Sequence, residues 1–338
     1  MAEVVVITGG SAGIGRAAAQ QFAVRGCAVG VIARGQERLD SAKAELEALG
    51  VRVHTVSADV ADAEAVERAA DEIEVNLGPI TIWVNNAMAT IYSPITGLDA
   101  AEIKRVTEVT YLGSVNGTLS ALRRMKTRGT IVQVSSVLAW RAIPIQGAYC
   151  GSKFALRGFT ESLRTELIHE GSPVHLTMVH LPAINTPQFD WARNKTGRRA
   201  KAPDTVYQPE MAARAIVFAA FNRRRDVFLG KSTPPAIIAA RFAPSLVDQA
   251  MARSGFDAQL GEPQPAQDGN LFAPAPGNQA ARGRFSDVAR DTNEIYSSRQ
   301  GDALAAAVVL LGAIGVSALL RSPLALLRSP LALTRLLR

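Results

Sequence analysis

The sequence predicts a doubly wound α/β fold, a parallel sheet with helices on both faces. Three observations carry the expectation. Short β-branched runs alternate with helical stripes through residues 1–230, the pattern of repeated βαβ units. A glycine-rich turn separates the first run from the first stripe. The chain of 338 residues is 48% hydrophobic and 20% charged, so it can fill a core that disordered or collagen-like chains lack.

The elements follow in order. Val4–Thr8 is a fully apolar run ending in threonine, as in a strand buried on both faces. Ile14, Ala18 and Phe22 repeat at helical spacing until Gly26 offers a stop. Ala28–Ala33 reads as the second strand. Leu39, Ala42, Leu46 and Leu49 form the next stripe, closed by Gly50. The third strand is expected at Val51–Val56, the fourth at Thr81–Val84, the fifth at Thr130–Val134 and the sixth at Val174–Val179, with a strand-like Val227-Phe228-Leu229 beyond them. Residues 1–230 are expected to form the main α/β domain and 231–260 a helical extension or lid. Residues 261–300, rich in Pro, Gly, Gln and Asn, read as a disordered linker.

Composition excludes several classes. Cys27 and Cys150 are too few for a disulfide scaffold and suit a reducing cytosol. Four histidines lack metal-ligand spacing, and His175 and His180 point to opposite faces of a strand, so no metal is expected. The net charge of +7 favours phosphate-bearing partners, either a nucleotide or lipid headgroups. No nucleic-acid motif accompanies it. Met1-Ala2-Glu3 leads straight into the first strand without a signal-peptide pattern.

The chemistry begins at Thr8-Gly9-Gly10-Ser11-Ala12-Gly13-Ile14-Gly15. Gly9 permits the tight turn, Gly13 lets the backbone approach a pyrophosphate, and Gly15 lets helix and strand pack closely. The free N–H groups of the helix N-terminus then face the phosphates. After the second strand, Ala33-Arg34 replaces the carboxylate that would hold a ribose 2′-hydroxyl with a guanidinium suited to a 2′-phosphate. NADP(H) is therefore expected over NAD(H), with Arg38 assisting one helical turn on. Tyr149 and Lys153 lie four apart on an expected helix and share a face. A nearby ammonium would lower the phenol pKa and suit it to proton transfer. Ser136, after the fifth strand, stands at the carboxyl edge where ligands bind in such sheets. Cys150, beside Tyr149, points away and reads as packing.

On Thr8–Gly15, Asn85-Asn86-Ala87, Ser136 and Tyr149-x-x-x-Lys153, residues 1–230 resemble a short-chain dehydrogenase/reductase (SDR), with a Rossmann-like, seven-stranded sheet. The resemblance implies hydride transfer between nicotinamide and an alcohol or carbonyl carbon. It assigns Tyr149 as general acid/base, Ser136 as substrate orienter and Lys153 as ribose binder and pKa modulator. It implies that Asp59 meets the adenine amino group, that Asn86 and Ala87 border the cofactor, and that Thr186, after Pro182, reaches the carboxamide. Three departures stand out. Met88 and Ala183 replace customary glycines, and Thr110 occupies the position where an asparagine usually supports a relay water; Asn116 faces elsewhere. Phe189 and Trp191 suggest either an apolar substrate wall or core packing. A binding module that keeps the fold without turnover remains the rival reading.

Ala303–Leu320 carries no charge and would span about 27 Å as a helix. Arg321, Arg328, Arg335 and Arg338 follow. A simple span from the cytosol would place them outside, against the positive-inside rule, whereas an interfacial helix or a hairpin would not. Residues 301–338 are thus expected to associate with membrane lipid at the cytoplasmic face; a helix packed on the core or at a homo-oligomer contact is the alternative.

Overall fold

The computed structural model describes residues 2–203, 205–278, 280–292 and 294–299. The hydrophobic tail expected at 301–338 lies outside the described residues. The inner strands β1 and β2 are buried on both sides because each face of the sheet is covered. In β1 (Val4–Thr8), Val5 and Ile7 join one buried cluster and Val4 and Val6 the other. The chain continues through α1 (Gly13–Val24), β2 (Ala28–Ala33), α2 (Gln36–Glu47), β3 (Val53–Ser57), α3 (Ala63–Leu77) and β4 (Ile82–Asn85). Next come β5 (Ile91–Tyr92), α4 (Ala100–Thr107), a π-type turn (Glu108–Leu112), α5 (Gly113–Arg124), β6 (Gly129–Ser136), α6 (Gly147–His169) and β7 (Val174–Leu181). After β8 (Ala183–Ile184), α7 (Gln188–Trp191), β9 (Arg193–Asn194), β10 (Arg198–Ala200) and β11 (Val206–Tyr207) come α8 (Pro209–Phe221) and β12 (Asp226–Leu229). Helices α9 (Thr233–Phe242) and α10 (Pro244–Ser254) and strands β13 (Leu260–Pro263) and β14 (Ile295–Ser297) complete the described elements.

The main sheet runs β14-β12-β7-β6-β4-β1-β2-β3. The seven strands from β12 to β3 are parallel, as expected, and β14 adds an eighth. Helices α1, α2 and α8 cover one face with Phe22, Leu39 and Ile216; α3, α4 and α6 cover the other with Ile73, Val106 and Leu167. Strand order reverses between β1 and β4, which opens a crevice at the carboxyl ends of the strands. The sixth expected strand extends to Leu181, and the fifth includes Ser136 as its last residue.

The disordered linker expected at 261–300 is corrected over its described residues. β13 pairs antiparallel with β10, Asn194 bridges Gln267, and Tyr207 bridges Arg290. Leu271 is fully buried and Ala281 nearly so. The segment has few large apolar residues to signal order. Arginines of the main body instead take its main-chain carbonyls: Arg34, Arg38 and Arg105 all donate to it. Among the described residues no helix is long and apolar enough to cross a membrane.

Candidate active site

The carboxyl ends of β1, β2, β4, β6 and β7 meet at one cavity of about 610 Å³. Every expected site residue lines it except Gly15 and Thr110: Gly9, Ser11, Gly13, Ile14, Arg34, Asp59, Asn86, Ala87, Ser136, Tyr149, Lys153, Pro182 and Thr186 are all at its wall.

The glycine turn has the geometry that its composition requires. Gly9 and Gly13 have φ of 67° and 55°, a region costly for residues with a Cβ. A Cβ on Gly15 would lie 2.3 Å from the Gly9 carbonyl oxygen, so its contribution is close packing behind the cavity rather than a wall. Asn86 braces the turn: its Nδ2 donates to the Thr8 and Gly9 carbonyls at 3.0 and 3.2 Å. Thr8 Oγ1 accepts from the backbone N–H groups of Asn86 and Ala87 at 3.0 and 3.2 Å. Beneath this, Asn85 Nδ2 donates to Thr118 and Gln133 at 2.9 and 3.1 Å, a buried polar network that locks β4 to its neighbours. Thr186 faces the turn, 3.4 Å from where a Gly13 Cβ would stand. Bare backbone at the start of α1, with one guanidinium just after β2 and another in the first turn of α2, suits a dinucleotide diphosphate bearing one more phosphate.

Arg34 donates to the carbonyl of Asn270 at 2.6 Å and to that of Phe272 at 3.3 Å. Arg38 is buried, donates to the Gly277 carbonyl at 3.0 Å and lies 4.9 Å from the Trp191 ring centre. Asp59 pairs with Arg105 and accepts from the Ala61 backbone at 3.0 Å. Its carboxylate is thus engaged by an arginine that the residue spacing did not single out.

The other end holds the proton-transfer candidates. Tyr149 and Lys153 share one face of α6 and are almost fully buried, with the Lys153 ammonium 5.6 Å from the Tyr149 ring centre. Lys153 Nζ donates to the Val134 carbonyl at 2.7 Å. Burial pushes the ammonium down to about 8. The expected lowering of the Tyr149 pKa is corrected. Burial dominates and raises it well above the usual phenol value, Cys150 adds to the rise, and only the neighbouring Ser136 hydroxyl pulls the other way. Ser136 Oγ donates to the Leu181 carbonyl at 3.3 Å and accepts from the Leu138 N–H at 3.1 Å, so it sits between β6 and β7 at the cavity floor. Cys150 is buried and its thiol is pushed up to about 11, in keeping with packing.

Thr110 lies outside the cavity wall, fully buried in the π-type turn. Its hydroxyl accepts from Ala89 N–H at 3.0 Å and donates to Ala89 carbonyl at 2.9 Å, and its own carbonyl accepts from Ser114 Oγ at 3.1 Å. The Thr110 hydroxyl therefore pins the helix irregularity to Ala89. Asn116 indeed turns away, onto the Val60 carbonyl at 2.9 Å. The packing alternative holds for Phe189, which packs against a small buried cluster. Phe189 and Trp191 both line the cavity, while Phe189 also meets the Phe285 ring edge-on at 5.0 Å. His180 is a core histidine, bonded to Trp140 and Asp226 at 3.1 Å each. Among the described residues no group of three or more His, Cys, Asp or Glu could hold a metal.

The family model described as short chain dehydrogenase matches residues 3–196. The chain belongs to the short-chain dehydrogenase family of oxidoreductases. Among its relatives, an uncharacterized oxidoreductase of Bacillus subtilis is 33% identical over 264 residues, 77% of this chain and 74% of that one. A zebrafish (Danio rerio) 3-dehydrosphinganine reductase is 34% identical over 224 residues, 63% of this chain and 67% of its own length. A solved alcohol dehydrogenase from Thermococcus sibiricus, complexed with 5-hydroxy-NADP, superposes with a TM-score of 0.59 at 27% identity, covering 68% of this chain and 96% of that one.

Proposed function

We propose that the protein uses NADP(H) to interconvert an alcohol and a carbonyl on a lipophilic substrate. The observation that carries this reading is one cavity holding the Ser136, Tyr149 and Lys153 side chains at one end and a bare glycine turn with Arg34 and Arg38 at the other. The NADP complex of the Thermococcus enzyme supports the cofactor. Gly9, Ser11, Gly13 and Ile14 would hold the diphosphate with Gly15 packed behind them, and Arg34 and Arg38 would hold the 2′-phosphate. Asp59, Asn86, Ala87, Pro182 and Thr186 would border the remainder. The chemistry that such a dinucleotide supplies when bound is two-electron hydride exchange at its nicotinamide.

The chain's own residues handle the proton. Tyr149, kept protonated by burial, donates from its Oη to the substrate oxygen as a carbonyl is reduced and recovers that proton in the reverse direction. Ser136 turns its hydroxyl from the Leu181 carbonyl to the same oxygen and orients it. Lys153 keeps one N–H on the Val134 carbonyl and offers the others to the cofactor ribose and to the developing phenolate. Thr110 acts at a distance, by holding the helix behind them.

The lipophilic substrate is supported by the walls on the Tyr149 side, where Leu138, Ile143, Ala236, Ala239, Val247 and Met251 line the cavity. It is also supported by relatives from zebrafish and Arabidopsis thaliana named 3-dehydrosphinganine reductase. NADPH oxidation with a chain-length series of ketones tests the reading. Turnover should rise with chain length; no turnover of any carbonyl would leave a dinucleotide-binding protein without catalysis.

Arg34→Ala should weaken NADPH binding by about 1–3 kcal/mol, the scale of a charge-assisted phosphate bond, and leave NADH nearly unchanged. Isothermal titration with both dinucleotides reads this directly. Equal losses would remove the 2′-phosphate assignment.

The sequence pattern of 301–338 further supports attachment to the cytoplasmic face of a membrane. A chain ending at Gln300 should stay soluble and turn over a water-soluble carbonyl, because the compact unit runs from Met1 to Tyr296. The full chain should sediment with membranes and resist a salt wash, since apolar burial is not screened as ion pairing is. Full-length protein in the soluble fraction would overturn the attachment.

A further inference from the structure

Three sets of donors that a phosphorylated dinucleotide needs are already engaged by a single stretch of chain. Arg34 holds the Asn270, Leu271 and Phe272 carbonyls, Arg38 holds the Ala275 and Gly277 carbonyls, and the Gly13 N–H donates to Ala280 at 3.1 Å. Asn270, Pro274 and Ala275 stand in the cavity wall opposite Arg34. We propose that Asp268–Gly277 is a built-in competitor for the 2′-phosphate, a strap whose main-chain carbonyls hold Arg34 and Arg38 until a phosphorylated dinucleotide takes them. The proposal rests on the reading of Arg34 and Arg38 as the 2′-phosphate site.

The two halves of the strap are anchored differently. The first half has anchors besides Arg34. Leu271 is fully buried, Asn270 N–H donates to the Trp191 carbonyl at 2.7 Å, and Asn270 Nδ2 donates to Gln188 Oε1 at 3.1 Å. A Cβ on Gly269, at φ 58°, would lie 2.2 Å from the Trp191 carbonyl oxygen, so this docking is tight. The second half has no comparable anchor. Phe272 is 56% exposed, and the bonds that tie 272–277 to the main body come from Arg34 and Arg38. Gly277, at φ 82°, supplies a turn at its far end.

Chemistry sets the outcome of the competition. A carbonyl is a neutral acceptor, whereas a phosphate dianion brings opposite charge and paired oxygens that a guanidinium fork can bind bidentately. A 2′-phosphate therefore strips both arginines from 270–277 and frees 272–277, while 267–271 stays docked through buried Leu271 and the Asn270 bonds to Trp191 and Gln188. A 2′-hydroxyl has no such leverage. The strap thus lowers the apparent affinity for the phosphorylated dinucleotide by the fraction of molecules in which it is closed. Because Trp191 stacks on Arg38, the release also reaches the α7 loop beside the substrate end.

The probes are 2′,5′-ADP and ADP, titrated into the full chain by calorimetry. In one variant Phe272–Pro276 is replaced by Gly-Ser-Gly-Ser-Gly; in the second, Pro274→Gly with Pro276→Gly loosens only the half that is released. Circular dichroism checks that both fold. The expected result is that each variant binds 2′,5′-ADP about threefold or more tighter than wild type, with ADP binding unchanged. If the wild type discriminates between the probes but the variants bind 2′,5′-ADP equally or more weakly, the strap is a cover and the proposal is overturned. If the wild type fails to discriminate, the phosphate site itself is overturned, and the strap proposal goes with it.

Discussion

Tyr149→Phe should reduce turnover by about 10²–10⁴-fold, the range for a positioned general acid, while NADPH binding stays within about twofold. The substitution keeps the ring and removes only the hydroxyl, so the packing of α6 around this buried residue survives. Burial raises the phenol pKa, which keeps the proton donor charged with its proton through the neutral range. Carbonyl reduction should accordingly show no loss of rate from this group between pH 6 and about 8. Alcohol oxidation, which needs the phenolate, should rise with pH. Stopped-flow measurement of NADPH consumption during reduction and of NADPH formation during oxidation separates these trends. Turnover of the phenylalanine variant near the wild-type rate would end the assignment.

Lys153→Met should also collapse turnover, by about 10²-fold or more, but without a loss of stability. The ammonium is buried and pushed down to about 8, against an ordinary value of 10.5. Between those two values the unfolded chain binds the proton and the folded chain does not. Stability therefore rises as pH increases from about 8 toward 10.5, and below about 8 burial of the charge costs the fold. The Val134 carbonyl repays part of that cost. Methionine fills a similar volume without charge, so the melting temperature at pH 7 should hold or increase, and its rise above pH 8 should disappear. A variant that loses activity because it unfolds would refute this account. A buried group that weakens the fold and serves the reaction is a stability–activity trade-off.

The long strands were legible because parallel strands buried on both faces must be β-branched and apolar along their whole length. β1 and β2 match their expected limits residue for residue. Short pairs such as β5 with β9, or β8 with β11, carry two residues each, and no periodicity develops over two residues. The site was legible where function demands a residue type: a bare turn at Gly9 and Gly13, a phenol four residues before an amine, a guanidinium after β2. It was illegible where burial decides. Nothing in the spacing of Tyr149 and Lys153 reveals that desolvation outweighs their mutual attraction. The strap was illegible for another reason. Its bonds use main-chain carbonyls, which every residue possesses, so the order of 268–277 leaves its trace in Arg34, Arg38 and Arg105.

The segment between β7 and α8 is stitched to chain that follows it by far. Asn185 bonds Ser286, Asn194 exchanges backbone bonds with Gln267, Gln208 bonds the Ser286 carbonyl, and Tyr207 bonds Glu294. These partners leave the ribosome 73–101 residues later than the residues they hold. The parallel sheet from β3 to β12 can assemble once Leu229 has emerged. The rim of the substrate chamber has to wait for the distal arm. During synthesis there is consequently an interval in which the sheet and its glycine turn exist but the chamber has no finished wall. A nascent chain in that interval would hold a nucleotide before it could shelter a substrate, so the order of translation itself sets the order in which the two binding functions mature.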